Sequence, residues 1–337
     1  MPKVEYDIVD YFKFFFAICI VGIHANIFAD SLVYPLVFRI AVPYFFVSSG
    51  FFFGKKLWNE KLTYNFKSKV GGGVNRLAIK ILIFEPISIV LITCQLIRQN
   101  TPWNEIAEQL VKHILFYPYG ALWYIQALIV AFVISYIFLK RFKILWLLVV
   151  SFCLYIFALL CNNYYFLSEY IELRELIDGY FDIFVSPRNG LFVGLFFVSA
   201  GIAISKYELK IRSLKRVRNY VLILASLYLI IEAYLLQGVE FADDGGLFLS
   251  YSLFVPVLFI STISNSSIKL PFARKMRNLS TSIYLLHRPL LMILLSLSFN
   301  ITGVRFAPGI AFTATLALSI IFSLLAYMNE RLYKILT

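Results

Sequence analysis

Apolar residues fall in runs of about twenty along nearly the whole chain, separated by short polar stretches. About twenty residues, at 1.5 Å per helical residue, cross a hydrocarbon core of about 30 Å. The runs lack the alternation of a strand. A backbone in lipid has to satisfy its own hydrogen bonds, so the pattern predicts helices rather than a closed barrel. It places spans at about 9–28, 36–54, 77–97, 121–139, 144–161, 190–205, 219–237, 247–265, 280–299 and 308–328. The predicted fold class is all-α, a polytopic integral membrane bundle of about ten transmembrane helices, forming one domain over 1–337. The first run is long, holds Lys13 and His24 and lacks a small-residue cleavage site, so it reads as a retained span and not a signal peptide.

Composition agrees, since 61% apolar and 15% charged residues leave too little polar surface to clothe a soluble globule. A net charge of +12 would suggest nucleic acid in a soluble protein, but the cations occupy alternate loops. Lys55 to Arg76 follow span two, Lys140 to Lys143 span four, Lys206 to Arg218 span six and Lys269 to Arg277 span eight. The intervening loops are acidic, with Glu169, Glu172, Glu175, Asp178 and Asp182 in one and Glu240, Asp243 and Asp244 in another. The positive-inside rule then puts both termini in the cytoplasm and excludes nucleic acid as the partner. Cys19, Cys94, Cys153 and Cys161 lie in or beside apolar runs and read as packing residues, so no disulfide framework or metal site is expected.

Ionisable side chains inside spans cost at least about 2.5–3.5 kcal/mol at the bilayer centre, which makes them the strongest pointers to chemistry. Lys13 and His24 stand eleven residues apart, about 16 Å along one helix and on nearly the same face, so they can line one cavity. Histidine takes a proton at neutral pH and lysine holds an anionic donor as a point charge; a snorkelling lysine and a packed histidine fit the pair as well. Phe38 to Phe51 mixes Arg39 and Pro43 with Ser48, Ser49 and Gly50. That run suits a close helix seam, while Arg39 could neutralise an anionic substrate at the outer surface.

Trp123 and Tyr124 open span four, where an interfacial aromatic belt is the simpler reading. Arg188 and Asn189 form a polar turn before span six, either a carboxylate or sugar site or an ordinary helix start. Glu232, deep in span seven, needs a cation, a proton or a wet cavity. His287 and Arg288 lie about two turns into span nine, where a kinked polar helix reaching the cytoplasmic half would suit donor binding. His113 reads as a solvated residue of an outer amphipathic loop.

Four motifs in order resemble the acyltransferase-3 family of bacterial membrane acyltransferases over essentially the whole chain. They are Lys13 with His24, Val42 to Phe51, Leu122-Trp123-Tyr124, and Ile283 to His287. The resemblance implies transfer of an acyl group, commonly acetyl, from cytoplasmic acyl-coenzyme A to a sugar or other envelope acceptor facing outward. It gives His24 the catalytic role and Lys13 that of its basic partner. Arginine is common at the Lys13 position in the family, and Ala25 stands where some members carry a second histidine. Lys69, Arg76, His287 and Arg288 are then candidates for the coenzyme A phosphates, and Arg39, Ser48, Trp123, Arg188, Asn189 and Glu232 for the acceptor. Acyl-coenzyme A is a co-substrate in this reading and no bound cofactor is expected; the bacterial cytoplasmic membrane is the expected location.

A narrower resemblance joins Phe38 to Gly50, Arg188-Asn189-Gly190, Glu232 to Tyr234 and Leu279 to His287 to the membrane domain of vancomycin-resistance serine racemases, a branch associated with serine uptake. Those proteins continue into a soluble racemase domain that this sequence lacks, so racemase activity is not expected. Uptake or binding of a small amino acid is the alternative function.

Overall fold

The computed structural model describes residues 5–59, 71–265 and 268–336. Among them every regular element is helical. In chain order the helices are α1 (Asp7–His24), α2 (Ala41–Asn59), α3 (Gly72–Arg98), α4 (Trp103–Phe116), α5 (Trp123–Leu139), α6 (Ile144–Leu160) and α7 (Arg174–Ile183). They continue as α8 (Leu195–Lys206), α9 (Glu208–Ser213), α10 (Lys215–Leu235), α11 (Tyr251–Ser264), α12 (Ala273–Thr302), α13 (Pro308–Ala326) and α14 (Glu330–Leu336). Each of the ten apolar runs falls on a helix.

Among the described residues, five helical stretches are long and apolar enough to cross a membrane, over 34–58, 72–98, 215–235, 273–302 and 308–326. Those over 123–139, 144–160, 190–206 and 251–264 are apolar but shorter. Helix α1 differs because Asp7, Asp10 and Lys13 crowd its first two turns. Large apolar side chains such as Leu82, Leu145, Leu224 and Leu235 point outward, as they do when lipid is the solvent.

Two elements depart from the expected pattern. The acidic stretch before span six carries the amphipathic α7, and the one before span four carries α4; neither has the length of a spanning run. Both cover the end of the bundle that bears the acidic loops, called here the acidic end, opposite the basic end at which α1 begins.

The tightest helix pair is α2 against α8. A Cβ at Gly50 would lie 2.2 Å from the Val198 carbonyl oxygen, one at Gly54 2.2 Å from Ser205 Oγ, and one at Gly201 2.1 Å from the Val47 carbonyl oxygen. The seam needs hydrogen at those positions, the usual logic of small residues spaced by three in membrane helices. Ser48 belongs to it, fully buried with its hydroxyl bonded to the Phe45 carbonyl at 3.0 Å. Helix α12 packs along α1 and α13, and Pro289 inside α12 removes one backbone donor just beyond His287.

Candidate functional site

His24 is the last residue of α1, and the chain turns sharply after it through Asn26 and Phe28, both in the left-handed region. Its imidazole lies against that of His287 on α12, ring centroids 5.2 Å apart and 32° from parallel. His287 is fully buried. Its Nδ1 reaches the carbonyls of Tyr284 at 2.7 Å and Ile283 at 3.1 Å. A carbonyl only accepts, so Nδ1 carries the proton and Nε2 keeps a lone pair. That Nε2 is buried with no hydrogen-bond partner among the described residues. Nothing local in the sequence shows that α12 delivers His287 to the end of α1, beside His24.

On the acidic side of the pair lies a cavity of about 50 Å³, lined by His24, Ile20, Val42, Trp123, Arg39 and Arg188 among others. Trp123 is buried, stacked on Tyr117 at 5.5 Å and covered by the Arg188 guanidinium at 5.5 Å. It is a wall of this cavity and not part of an interfacial belt.

Arg39 is also an inward residue. Its Nη1 donates to Asp244 Oδ2 at 2.5 Å, and the same oxygen receives Arg188 Nη1 at 2.6 Å. Asp243 accepts from the Ser186 hydroxyl at 2.6 Å and Arg188 Nε at 3.3 Å. Burial opposes ionisation of Asp244, but Arg188 and Arg39 outweigh it and hold its carboxyl at about 2. Asp243 moves the other way because burial prevails over Arg188. Asn162 and Asn163 tie down Leu247, three residues beyond Asp244, the first accepting its N–H at 2.9 Å and the second donating to its carbonyl at 2.9 Å. Asp243 and Asp244 lie some 205 residues from Arg39 in the chain, and sequence reasoning assigned them only to a loop.

On the other side lies a cavity of about 250 Å³, lined by Lys13, Lys80, Ser49, Tyr124, Arg277 and Tyr284 among others. It shares Lys13, Ser49, Lys80 and Arg277 with an open cleft of about 870 Å³ that also meets Lys56, Arg76, Arg274 and Lys334. No carboxylate among the described residues lines that cleft, although Arg277 on its wall is paired with Asp10 at 3.3 Å. Lys13 sits over the Phe52 ring at 4.8 Å. Lys13 and His24 therefore share a helix face but line different cavities, because Tyr284 and His287 of α12 fill the space between them.

The partition is thin. Phe45 and Tyr284 line the larger cavity, while Val42 lines the smaller one and His287 lies against His24. Three residues along α2 and along α12 amount to about 4.5 Å. Tyr124 and Ser49, whose hydroxyls are 3.2 Å apart, close the larger cavity at this point; the sequence offered Ser49 only as part of a helix seam and Tyr124 only as part of an aromatic belt or motif.

The remaining predicted residues divide. Arg76 lines the basic cleft, its Nε bonded to the Gly72 carbonyl at 3.1 Å. Lys69 lies outside the described residues. Asn189 is a helix cap, its Oδ1 accepting the N–H groups of Leu191 and Phe192. His113 is not a solvated loop residue: it stacks on Tyr119 at 3.9 Å and bonds the Tyr117 carbonyl at 2.7 Å.

Glu232 meets no cation among the described residues. Its two oxygens accept the N–H groups of Leu249 at 2.6 Å and Ser250 at 2.7 Å, and Tyr164 donates its hydroxyl to it. It caps the start of α11, where orphan N–H groups attract a carboxylate. Glu232→Gln replaces one acceptor oxygen with a donor and is expected to cost about 1–3 kcal/mol of stability. A melting temperature that falls while turnover per folded molecule holds is the expected pattern; an unchanged melting temperature would show that the cap is dispensable.

The apolar helices of this bundle mark a multi-pass membrane protein, with two cavities that approach each other at the histidine pair. A family model described as an acyltransferase domain matches residues 6–328, so the chain belongs to the acyltransferase-3 family. Among curated proteins it is similar to an amino-acid racemase of Enterococcus faecalis, 27% identical over 233 residues, covering 65% of this chain and 31% of the relative. It is also similar to a serine/alanine racemase of Enterococcus gallinarum, 25% identical over 265 residues, covering 74% of this chain and 35% of the relative. The chain thus spans about a third of the length of these relatives. No solved structure matches.

Proposed function

We propose that the protein is a membrane O-acyltransferase that moves an acyl group, acetyl in the simplest case, from acyl-coenzyme A to the hydroxyl of an envelope acceptor. The observation that carries this reading is the histidine pair set within about one helical turn of a cavity that opens into a basic cleft. On this reading ten spans cross the bacterial cytoplasmic membrane with both termini inside, and the basic cleft faces the cytoplasm.

The cleft suits the phosphates of coenzyme A. Lys13, Arg76, Lys80, Arg274 and Arg277 supply cations to its wall, and the thioester arm would run past Ser49, Tyr124 and Tyr284 towards the pair. The acceptor hydroxyl enters from the small cavity on the other side. His24 takes the hydroxyl proton as the oxygen attacks the thioester carbon; the C–O bond forms, the C–S bond breaks, and the proton leaves with the thiolate as coenzyme A. A transient acyl-imidazole on His24 serves the same balance in two steps. His287, its Nδ1 fixed by its own helix, holds the His24 ring in place.

A second reading draws on the mixed Arg39, Arg188, Asp243 and Asp244 cluster and on the names of the relatives, and makes the protein a binding or uptake module for a small amino acid. Calorimetry of the purified protein with acetyl-coenzyme A and with L-serine separates the two. Donor binding that weakens about tenfold in Lys13→Ala, the loss of one phosphate contact of about 1.4 kcal/mol, supports the transferase. Serine binding without donor binding supports the second reading and overturns the first.

A further inference from the structure

Serine hydroxyls inside these helices commonly spend their proton on a carbonyl one turn back, as Ser88 does on Phe84, Ser199 on Leu195, Ser226 on Leu222 and Ser261 on Val257, which satisfies the group away from water. Ser49 does not. The Phe45 carbonyl, four residues back, accepts Ser48 instead, and the Ser49 hydroxyl lies 3.2 Å from that of Tyr124. Neither hydroxyl makes another hydrogen bond among the described residues. Two hydroxyls carry two hydrogens and the bond between them consumes one, so the pair keeps an unspent O–H. Both residues line the cavity of about 250 Å³. The phenol is the more acidic of the two and the stronger donor, so Ser49 donates to Tyr124 and Tyr124 donates into the cavity.

A series of rings leads from this hydroxyl pair to the candidate base: Tyr124 to Tyr284 at 5.6 Å, Tyr284 to His287 at 6.0 Å and His287 to His24 at 5.2 Å between centroids. The members between are committed, because Tyr284 donates its hydroxyl to the Ala121 carbonyl and His287 Nδ1 donates to two carbonyls of its own helix. Ser280 also lines the cavity, but it stands four residues, about 6 Å, nearer the basic end of α12 than Tyr284. Lys13 and Lys80 open onto the basic cleft as well. Arg288, offered by the sequence for the donor phosphates, lines neither cavity, and its stem lies against Gly120. On the histidine side of the cavity the available donor is thus an uncharged O–H. Its match is an uncharged acceptor such as a carbonyl oxygen, whereas the cations further out match phosphates.

We propose that Tyr124 donates a hydrogen bond to the carbonyl oxygen of the acyl thioester, which makes it a catalytic residue, and that Ser49 is its positioning residue. The proposal rests on the acyltransferase reading. As the acceptor oxygen bonds to the thioester carbon, the π pair of the carbonyl moves onto its oxygen, and the Tyr124 O–H bonds to that oxyanion more strongly without giving up its proton. When the pair returns the C–S bond breaks, and the thiolate takes the proton collected by His24.

The experiment is calorimetric titration of the purified full chain with acetyl-coenzyme A and with S-ethyl-coenzyme A, which has a methylene in place of the thioester carbonyl. Acetyl-coenzyme A binds about fivefold or more tightly, because the thioether leaves the O–H unpaired in a site shut off from water. Tyr124→Phe removes that preference by weakening acetyl-coenzyme A alone, with S-ethyl-coenzyme A bound as before. A tyrosine that merely shaped the cavity would shift both ligands together. Ser49→Ala keeps part of the preference, because Tyr124 still has its hydrogen to donate. Isotope-edited infrared spectra give a second readout: the thioester carbonyl band moves to lower frequency on binding to the unaltered protein and stays in place on binding to Tyr124→Phe. Equal binding of the two ligands by the unaltered protein, or a preference or band shift that survives in Tyr124→Phe, overturns the hydroxyl site and leaves the transferase reading standing. Failure of both ligands to bind the unaltered protein overturns that reading and the proposal with it.

Discussion

Replacing His24 with alanine is expected to abolish acyl transfer while the protein is extracted at normal yield with an unchanged melting temperature. The first half follows from position. His24 makes no hydrogen bond to a described residue, it faces the small cavity, and among the described residues its ring neighbour is His287 at 5.2 Å. His287 cannot substitute for it, because that ring is fully buried and its Nδ1 is committed to two carbonyls of its own helix.

A general base contributes about 10²- to 10⁴-fold, and a residue that itself accepts the acyl group contributes more. The loss should therefore be at least about a hundredfold in turnover, with acetyl-coenzyme A binding retained because the donor cavity is lined from the other side by Lys13, Lys80 and Arg277. The second half follows from packing, since a residue at the end of α1 that is not in the closed core leaves little cavity when truncated. Retained turnover in H24A removes His24 from the mechanism.

The largest effect on stability is expected at Gly201. A Cβ there would stand 2.1 Å from the Val47 carbonyl oxygen and 2.6 Å from the Phe51 backbone nitrogen. These are backbone atoms of a helix fixed on its other faces, so no side-chain rotation relieves the clash, and α2 and α8 must separate along their whole seam. Overpacking typically costs about 1–3 kcal/mol; Gly201→Ala belongs at the top of that range and Gly201→Val beyond it. Loss of folded protein on detergent extraction of Gly201→Val is the expected readout. Gly179→Ala is the control, because a Cβ there meets nothing within 4 Å and alanine favours the helix by about 1 kcal/mol over glycine. A Gly201→Val protein that melts with the unaltered one would mean that the seam can open freely. The partition between the two cavities also depends on this seam, because α2 carries both Val42 and Phe45.

Much of this could be read along the chain, because a helix is a local structure and lipid imposes one length and one polarity on it. The ten apolar runs all became helices, and the serine and glycine seam of α2 followed from small residues in a row. His24 and Lys13 stood out because each is expensive where it lies. Long-range pairing was not legible in the same way. Nothing local distinguishes Trp123 in a belt from Trp123 in a cavity wall, since both settings reward an amphipathic aromatic ring. Glu232 had the same ambiguity: a deep carboxylate must be satisfied, and whether by a cation or by the N–H groups of Leu249 and Ser250 depends on where α11 begins in space. Asp243 and Asp244 read as loop charge, and only the return of that loop over α1 and α2 makes them partners of Arg39 and Arg188.

By itself the sequence determined a helical, lipid-solvated protein of the acyltransferase-3 family, with basic and acidic loops in alternation and one histidine worth testing. Periodicity, length and charge are local quantities, and a membrane converts them directly into elements. Only the tertiary structure decided that His287 meets His24 and that Lys13 and His24 look into separate cavities about one helical turn apart. Those are properties of pairs of helices, set by which faces pack together, and packing in lipid is governed by the shape of small residues and by the pairing of buried charges rather than by any pattern along one strand of sequence.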